Sequence, residues 1–340
     1  MLASLEPGAS ATRVRGVGRR RATLAAALIA AAALNCGERG AVEPPRAARA
    51  GFDGTRAFAD LEELVHIGPR PAGSPGAARA RELIRERLRQ AGWVVEEHAF
   101  EAGPPGAKPR RMVNLIARRV DSTAERVLLI THYDTKDIPG IRFVGANDGA
   151  SGTAVLLELA RVLAAYELPL AIELVFADGE EAFGASITRQ DGLYGSSALA
   201  ERMRADGSLE RVRSVILVDM VGDADLNLVV DQGSSPLLRE IFAREAERLG
   251  LGAIIDPTAE MTVIDDHTPF AALGVEHVLA VIDFQFGGRV SPGRLWHTAG
   301  DSLESVSASS LNSVGRVLVE TVRAVSEHWS KTGAPRARGE

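Results

Sequence analysis

The chain alternates short apolar runs with longer stretches in which apolar residues recur at helical spacing. Arg126 to Ile130 (RVLLI), Ile172 to Ala177 (IELVFA) and Val215 to Met220 (VILVDM) have the length and composition of buried strands, and Val275 to Ile282 reads as another. Between the first two, Ser151 to Tyr166 sets Val155, Leu159, Val162 and Leu163 on one helical face. Two other helices are announced by a serine that can cap and a proline that fits the first turn. One starts at Ser74-Pro75, carries Leu83, Ile84 and Leu88, and stops at Gly92; the second runs from Ser235-Pro236 to Gly250. Ala308 to Val325 predicts a closing helix. Strands separated by helices of this length predict an α/β sandwich around a mostly parallel sheet.

The ends of the chain read differently. Arg19, Arg20 and Arg21 precede a small apolar run from Ala22 to Leu34, the pattern of a secretory leader and too short for an ordinary spanning helix. The string Ala33-Leu34-Asn35-Cys36-Gly37 resembles a bacterial lipoprotein cleavage site, although Asn35 is an untidy neighbour for the cysteine. A simple leader with an accidental cysteine is the plainer alternative, and the arginine triplet fits twin-arginine export poorly. The expected division is a signal peptide over 1–35, a linker over 36–51, a folded region over 52–332 and a disordered tail over 333–340. The expected location is outside the cytoplasm of a bacterium, in the periplasm or anchored to a membrane through lipidated Cys36. That cysteine is the only one in 340 residues, which excludes an intramolecular disulfide and a thiol nucleophile within the fold. A net charge of -6 lacks the basic excess of a nucleic-acid binder.

In sheets of this kind, sites form at the carboxyl ends of the strands. Polar residues collect there repeatedly. The first strand runs into Thr131-His132-Tyr133-Asp134, the second into Asp178-Gly179-Glu180-Glu181, and the third into Asp219. A loop, Gly145 to Gly149, carries Asp148 immediately before a helix, and Asp265-Asp266-His267 and Trp296-His297-Thr298 follow late in the chain. One such acid is usually a cap or a turn former. The set is more telling, because carboxylates and imidazoles from separated strand ends are what a catalytic zinc site uses. On an extended turn, Glu180 and Glu181 point in different directions, so one can bind metal while the other faces the open coordination position. Burying both without a cation would be costly; a solvated surface pair is the alternative. No G-x-S-x-G elbow and no dinucleotide or phosphate-loop glycine spacing occurs.

The strings HIGPRPAGS, THYDTK, FVGANDGASG, VFADGEEAF, QDGLYGSSALA, ILVDMVG, IDDHTPF and WHTAGDS occur in order from His66 to Ser302. Together they resemble the glutaminyl cyclase branch of the zinc-dependent aminopeptidase superfamily. The resemblance implies a single-domain, three-layer αβα sandwich with a central mixed sheet. It implies that Asp148, Glu181 and His297 bind the catalytic zinc and that Glu180 is the general acid/base. Asp219 and Asp265 become partners of the substrate amine, and Trp296 a wall of its pocket. Asp301 is expected either to orient a site group or to cap the turn after His297.

The superfamily offers two reactions on peptide or protein N-termini. A cyclase with one zinc closes an N-terminal Gln to pyroglutamate and releases ammonia. A two-zinc aminopeptidase removes the first residue, with His132 and Asp219 binding the second ion and Asp148 bridging. Asp265 and Trp296, and the LYGS and GEEAF contexts, resemble the cyclases. Ser186, Ile264 and the Ser291-Pro292-Gly293-Arg294-Leu295 loop depart from many animal cyclases and bear on the substrate pocket. Some relatives of this fold are binding domains without catalysis, and those have typically lost the ligands present here.

Overall fold

The structure, a computed structural model, describes residues 51–119 and 125–332. The expected leader, Cys36, the linker up to residue 50 and the tail from 333 lie outside the described residues.

Eight strands and seven α-helices make up the described chain. The helices are α1 (Gly54–Ile67), α2 (Pro75–Gln90), α3 (Ala150–Leu163), α4 (Tyr194–Ala205), α5 (Pro236–Arg248), α6 (Thr268–Ala272) and α7 (Ala308–Thr332). The strands are β1 (Val94–Ala102), β2 (Arg110–Arg118), β3 (Arg126–His132), β4 (Ala171–Ala177), β5 (Val212–Asp219), β6 (Leu228–Asp231), β7 (Ile255–Met261) and β8 (Val278–Ile282). Six strands form one sheet in the order β1-β2-β4-β3-β5-β8, and β6 and β7 form a small parallel pair. Strands β4, β3, β5 and β8 are mutually parallel, whereas β2 runs antiparallel to both its neighbours. The sheet is therefore mixed and mostly parallel, as expected.

The sheet is covered on both faces, and strand alternation sorts its side chains between them. Val127, Leu129, Leu174, Phe176, Ile216 and Val218 join a core with residues of α1, α2, α3, α5 and α7. Leu128, Ile130, Val175, Val215 and Leu217 join a second core with Leu199 and Met203 of α4 and Phe270 of α6. Burial on both faces is why these strands read as continuous apolar runs.

The predicted caps form: Ser74 accepts from the Ala77 N–H and Ser235 from the Leu238 N–H. Several boundaries differ. Met220 leaves the expected third strand because its backbone turns left-handed, with φ 49°. The fourth starts at Val278 rather than Val275, whose N–H instead closes the turn after α6 on the Phe270 carbonyl. Helix α7 continues to Thr332, past Val325.

The parallel strands place the ends of β3, β4, β5 and β8 on one edge of the sheet. His132 and Asp219 are the last residues of β3 and β5, and Asp178 follows β4 directly. The chemistry of the chain is concentrated along that edge.

Candidate metal centre

The turns that carry the site are held by buried carboxylates. Asp301, 1% exposed, accepts from the Asn147 N–H at 2.6 Å and the Asp148 N–H at 3.0 Å. Of the two roles expected for Asp301, the structure selects orientation of a site group. Asp134, fully buried, does the same for the turn after β4, accepting from the Glu180 N–H at 3.2 Å and the Glu181 N–H at 3.4 Å. Gly149 sits between them at φ 93°, and a Cβ there would lie 2.7 Å from the Asp134 carbonyl oxygen, so the turn into α3 admits only glycine. His297 is itself left-handed, with φ 54°, a conformation that a non-glycine residue holds only when its surroundings impose it. Its ring stacks on Trp296 at 3.8 Å between centroids and meets the edge of Phe143.

These turns bring the expected residues together. His297 Nε2 lies 3.2 Å from Glu181 Oε1 and 3.3 Å from Asp148 Oδ2. The other Asp148 oxygen, Oδ1, lies 3.2 Å from His132 Nε2, which is also 3.2 Å from Asp219 Oδ1. Asp148 thus belongs to two sets of donors, Asp148–Glu181–His297 and His132–Asp148–Asp219, each with its atoms within 4.8 Å of one another. Ligands about 2.0–2.2 Å from a tetrahedral ion stand about 3.3–3.6 Å apart. These separations fit that requirement, and the donors are the nitrogen and carboxylate oxygens that zinc accepts.

The remaining residues face a cavity of about 230 Å³ beside the donors. Asp148, Glu180, Glu181, Asp219, Asp265 and His297 form its polar end. Trp296, Phe284, Met261 and Ile264 line an apolar side, with Ser186 and Ile187 also on the wall. Ser186 and Ile264, the departures noted in the sequence, therefore bear directly on what the cavity admits. His132 is fully buried and supports Asp148 and Asp219 from within the fold.

The electrostatics are those of an acid-rich pocket. Burial drives the Glu180 carboxyl well above the usual range, and the charges of Asp265, Glu181 and Asp266 push the same way against His132. Burial and Asp219 raise Asp265 likewise. For His297 burial opposes the charge, but Asp148 and Glu181 outweigh it and lift the imidazole to about 9. Burial also works against the Asp148 carboxylate, yet its bonds to His132 and His297 hold it well below the usual range. Buried carboxylates this close call for a cation, and the donor set offers it a place.

The role of Asp134 escaped the sequence reading. Asp134 stood in view within Thr131-His132-Tyr133-Asp134, but nothing in one sequence tells which strand-end acid is a ligand and which bonds backbone. Lys136, also unassigned, is buried against the site with Nζ 2.6 Å from the Ala182 carbonyl and 3.5 Å from Glu181 Oε2.

The sequence profile of peptidase family M28 matches residues 114–322, more than half of the chain. The chain belongs to peptidase family M28. Within M28 it is similar to a glutaminyl-peptide cyclotransferase of Drosophila melanogaster, 30% identical over 77% of this chain and 80% of that relative. Among solved structures it is similar to an Acidobacteriales bacterium glutaminyl cyclase, 36% identical with a TM-score of 0.76, covering 84% of this chain and 99% of that one. A Porphyromonas gingivalis glutaminyl cyclase is 27% identical with a TM-score of 0.73, covering 80% and 98%. The αβα architecture expected from the sequence is that of these M28 relatives. Asp148, Glu180, Glu181 and Asp219 fall inside the matched M28 segment, as do Asp265 and His297.

Proposed function

We propose that this M28 chain is a zinc-dependent glutaminyl-peptide cyclotransferase, an acyltransferase that converts the N-terminal Gln of peptides to pyroglutamate and releases ammonia. The observation that carries the reading is one cavity in which Glu180, Asp219 and Asp265 face the Asp148–Glu181–His297 donor set. Relatives and solved structures named for this activity support it.

Asp148, Glu181 and His297 would hold the zinc, which when bound would supply Lewis-acid polarisation of the γ-carboxamide and charge stabilisation for its oxygen. The protein does the rest. Asp219 and Asp265 accept hydrogen bonds from the α-amine and aim it at the side-chain carbonyl carbon. Trp296 packs on the aliphatic part of the substrate. Glu180 takes a proton from the amine as the new N–C bond forms, then delivers it to the nitrogen that leaves as ammonia when the old C–N bond breaks. Its raised proton affinity suits a group that must both accept and donate. This reading takes one zinc, and His132 Nε2 then lies against Asp219 Oδ1 at 3.2 Å.

The test is direct. A Gln-initiated and a Leu-initiated peptide are incubated with the protein and their masses read. Loss of ammonia from the first supports cyclisation; release of leucine from the second supports hydrolysis. Glu180→Gln is expected to keep its zinc and to lose turnover by about 10²–10⁴-fold. Near-normal activity in that variant would remove Glu180 from the mechanism.

A two-zinc aminopeptidase is the second reading, favoured by Asp148 presenting one oxygen to each donor set. The ratio of zinc to protein separates the two.

The leader and Cys36 further suggest an exported protein anchored by lipid. Labelling with radioactive palmitate, in the parent and in Cys36→Ser, tests the anchor; equal labelling of both would sink it.

A further inference from the structure

Arg70 is fully buried, yet no carboxylate among the described residues pairs with its guanidinium within 4.0 Å. Its N–H groups go to backbone carbonyls instead. Nε donates to Tyr133 at 3.0 Å, Nη1 to Val144 at 2.7 Å and to Leu64 and Gly68 at 3.3 Å, and Nη2 to Gly145 at 3.2 Å. These carbonyls come from three places. Leu64 and Gly68 are at the end of α1, Tyr133 follows β3 directly, and Val144 and Gly145 open the turn that delivers Asp148. The Arg70 backbone is fastened to the same region: its N–H donates to Thr135 Oγ1 at 2.9 Å and its carbonyl accepts from the Thr135 N–H at 3.2 Å.

A planar fork of five donors can join three segments in this way; the single point of an ammonium cannot. The cost of burying the charge shows in a guanidinium lowered to about 10, by burial first, with Asp301, Asp134 and Asp148 pulling it back up. The three acids that favour the charge are the ligand Asp148 and the two carboxylates that hold the ligand-bearing turns. Arg70 therefore does two things at once. It ties the 144–145 segment to the end of the strand that carries His132, and it places a permanent positive charge behind an acid-rich pocket.

We propose that Arg70 is a positioning residue of the metal centre, fixing the turn that carries Asp148 onto the end of β3 and thereby setting the affinity of the site for zinc. The inference rests on the zinc reading above and deepens it. Residues that orient metal ligands from behind typically change metal affinity by about 10–100-fold when replaced.

Arg70→Lys keeps a charge and loses the fork; Arg70→Met keeps length and loses both. Leu88→Ala, a fully buried change in α2, serves as a destabilised control remote from these bonds. Zinc dissociation constants of the folded proteins are measured by competition with a chromophoric chelator, alongside melting temperatures with and without zinc. Both Arg70 variants are expected to bind zinc about 10–100-fold more weakly, and their melting temperature to gain less from zinc. The control is expected to melt lower with unchanged zinc affinity. If neither Arg70 variant folds, Thr135→Val, which removes the acceptor of the Arg70 N–H, is measured instead and is expected to weaken zinc in the same direction. Folded variants that bind zinc as tightly as the parent overturn this inference alone. A parent that holds no zinc overturns the metal reading and this inference with it.

Discussion

Asp301 offers a strong quantitative test of how the centre is built. Asp301→Ala removes the acceptor of two backbone N–H groups, those of Asn147 and Asp148, at a position that is 1% exposed. Each buried donor left without an acceptor costs about 1–3 kcal/mol, so the pair is worth roughly 2–6 kcal/mol. A water entering the vacated space would recover part of this, which places the expected loss toward the lower end. At about 2–4 °C of melting temperature per kcal/mol in a domain of this size, the drop is on the order of 10 °C. It should be measured by chemical and thermal unfolding in the presence of chelator, so that zinc binding does not add to the difference. Asp301→Asn keeps one acceptor and should fall between the variant and the parent. An Asp301→Ala protein within about 0.5 kcal/mol of the parent without metal would show that the two bonds do not hold the Asp148 turn.

Other consequences can be read from the same structure. Chelation is expected to lower the melting temperature and zinc to restore it, by about 2.7 kcal/mol of stability when free zinc is 100 times its dissociation constant; identical melting with and without chelator would contradict a metal held by the folded state. For Asp231, burial opposes the charge, but pairing with His267 and bonds from Val263, Ser234 and Gly233 hold its pKa at about 2, below the ordinary 3.8. Because the folded value is the lower, its stabilisation is full above pH 4 and fades as pH falls toward 2. Denaturant midpoints of the parent and Asp231→Asn should therefore differ most above pH 4 and converge near pH 2. Gly152→Ala would bring a Cβ to 2.3 Å from the Val218 carbonyl oxygen and 2.4 Å from Thr131 Oγ1. Helix α3 must then lift from the sheet, and the variant should unfold at clearly lower denaturant or fail to accumulate folded; parent-like stability would mean the helix is not packed that closely.

Much of the frame was legible from pattern. Strands β3, β4, β5 and β8 and helices α2, α3, α5 and α7 follow from apolar runs, helical spacing and Ser-Pro starts, because each is buried deeply enough to constrain its residues. Helix α1, the pair β1–β2 and helix α4 were not legible. β1 alternates exposed and half-buried positions and carries Glu96, Glu97 and Glu101, so its apolar signal is thin. α4 starts from left-handed Leu193 without a side-chain cap, so no residue announces it. The twist of Met220 out of β5 was likewise invisible, since nothing in Val-Asp-Met-Val demands φ 49°.

The candidate site divides along the same line. The sequence alone placed carboxylates and imidazoles at the ends of buried strands, and family resemblance singled out Asp148, Glu181, His297 and Glu180 among them. That much is local, because a strand end is recognisable from the run before it. The tertiary structure decided which acids face the cavity and which turn inward to hold backbone. Asp134 and Asp301 are chemically the same as Asp148 and Asp219; they differ in the N–H groups that the fold brings to them. Arg70 makes the same point with opposite charge. Its partners lie up to 75 residues away in sequence, so only the folded chain brings them within reach of one guanidinium.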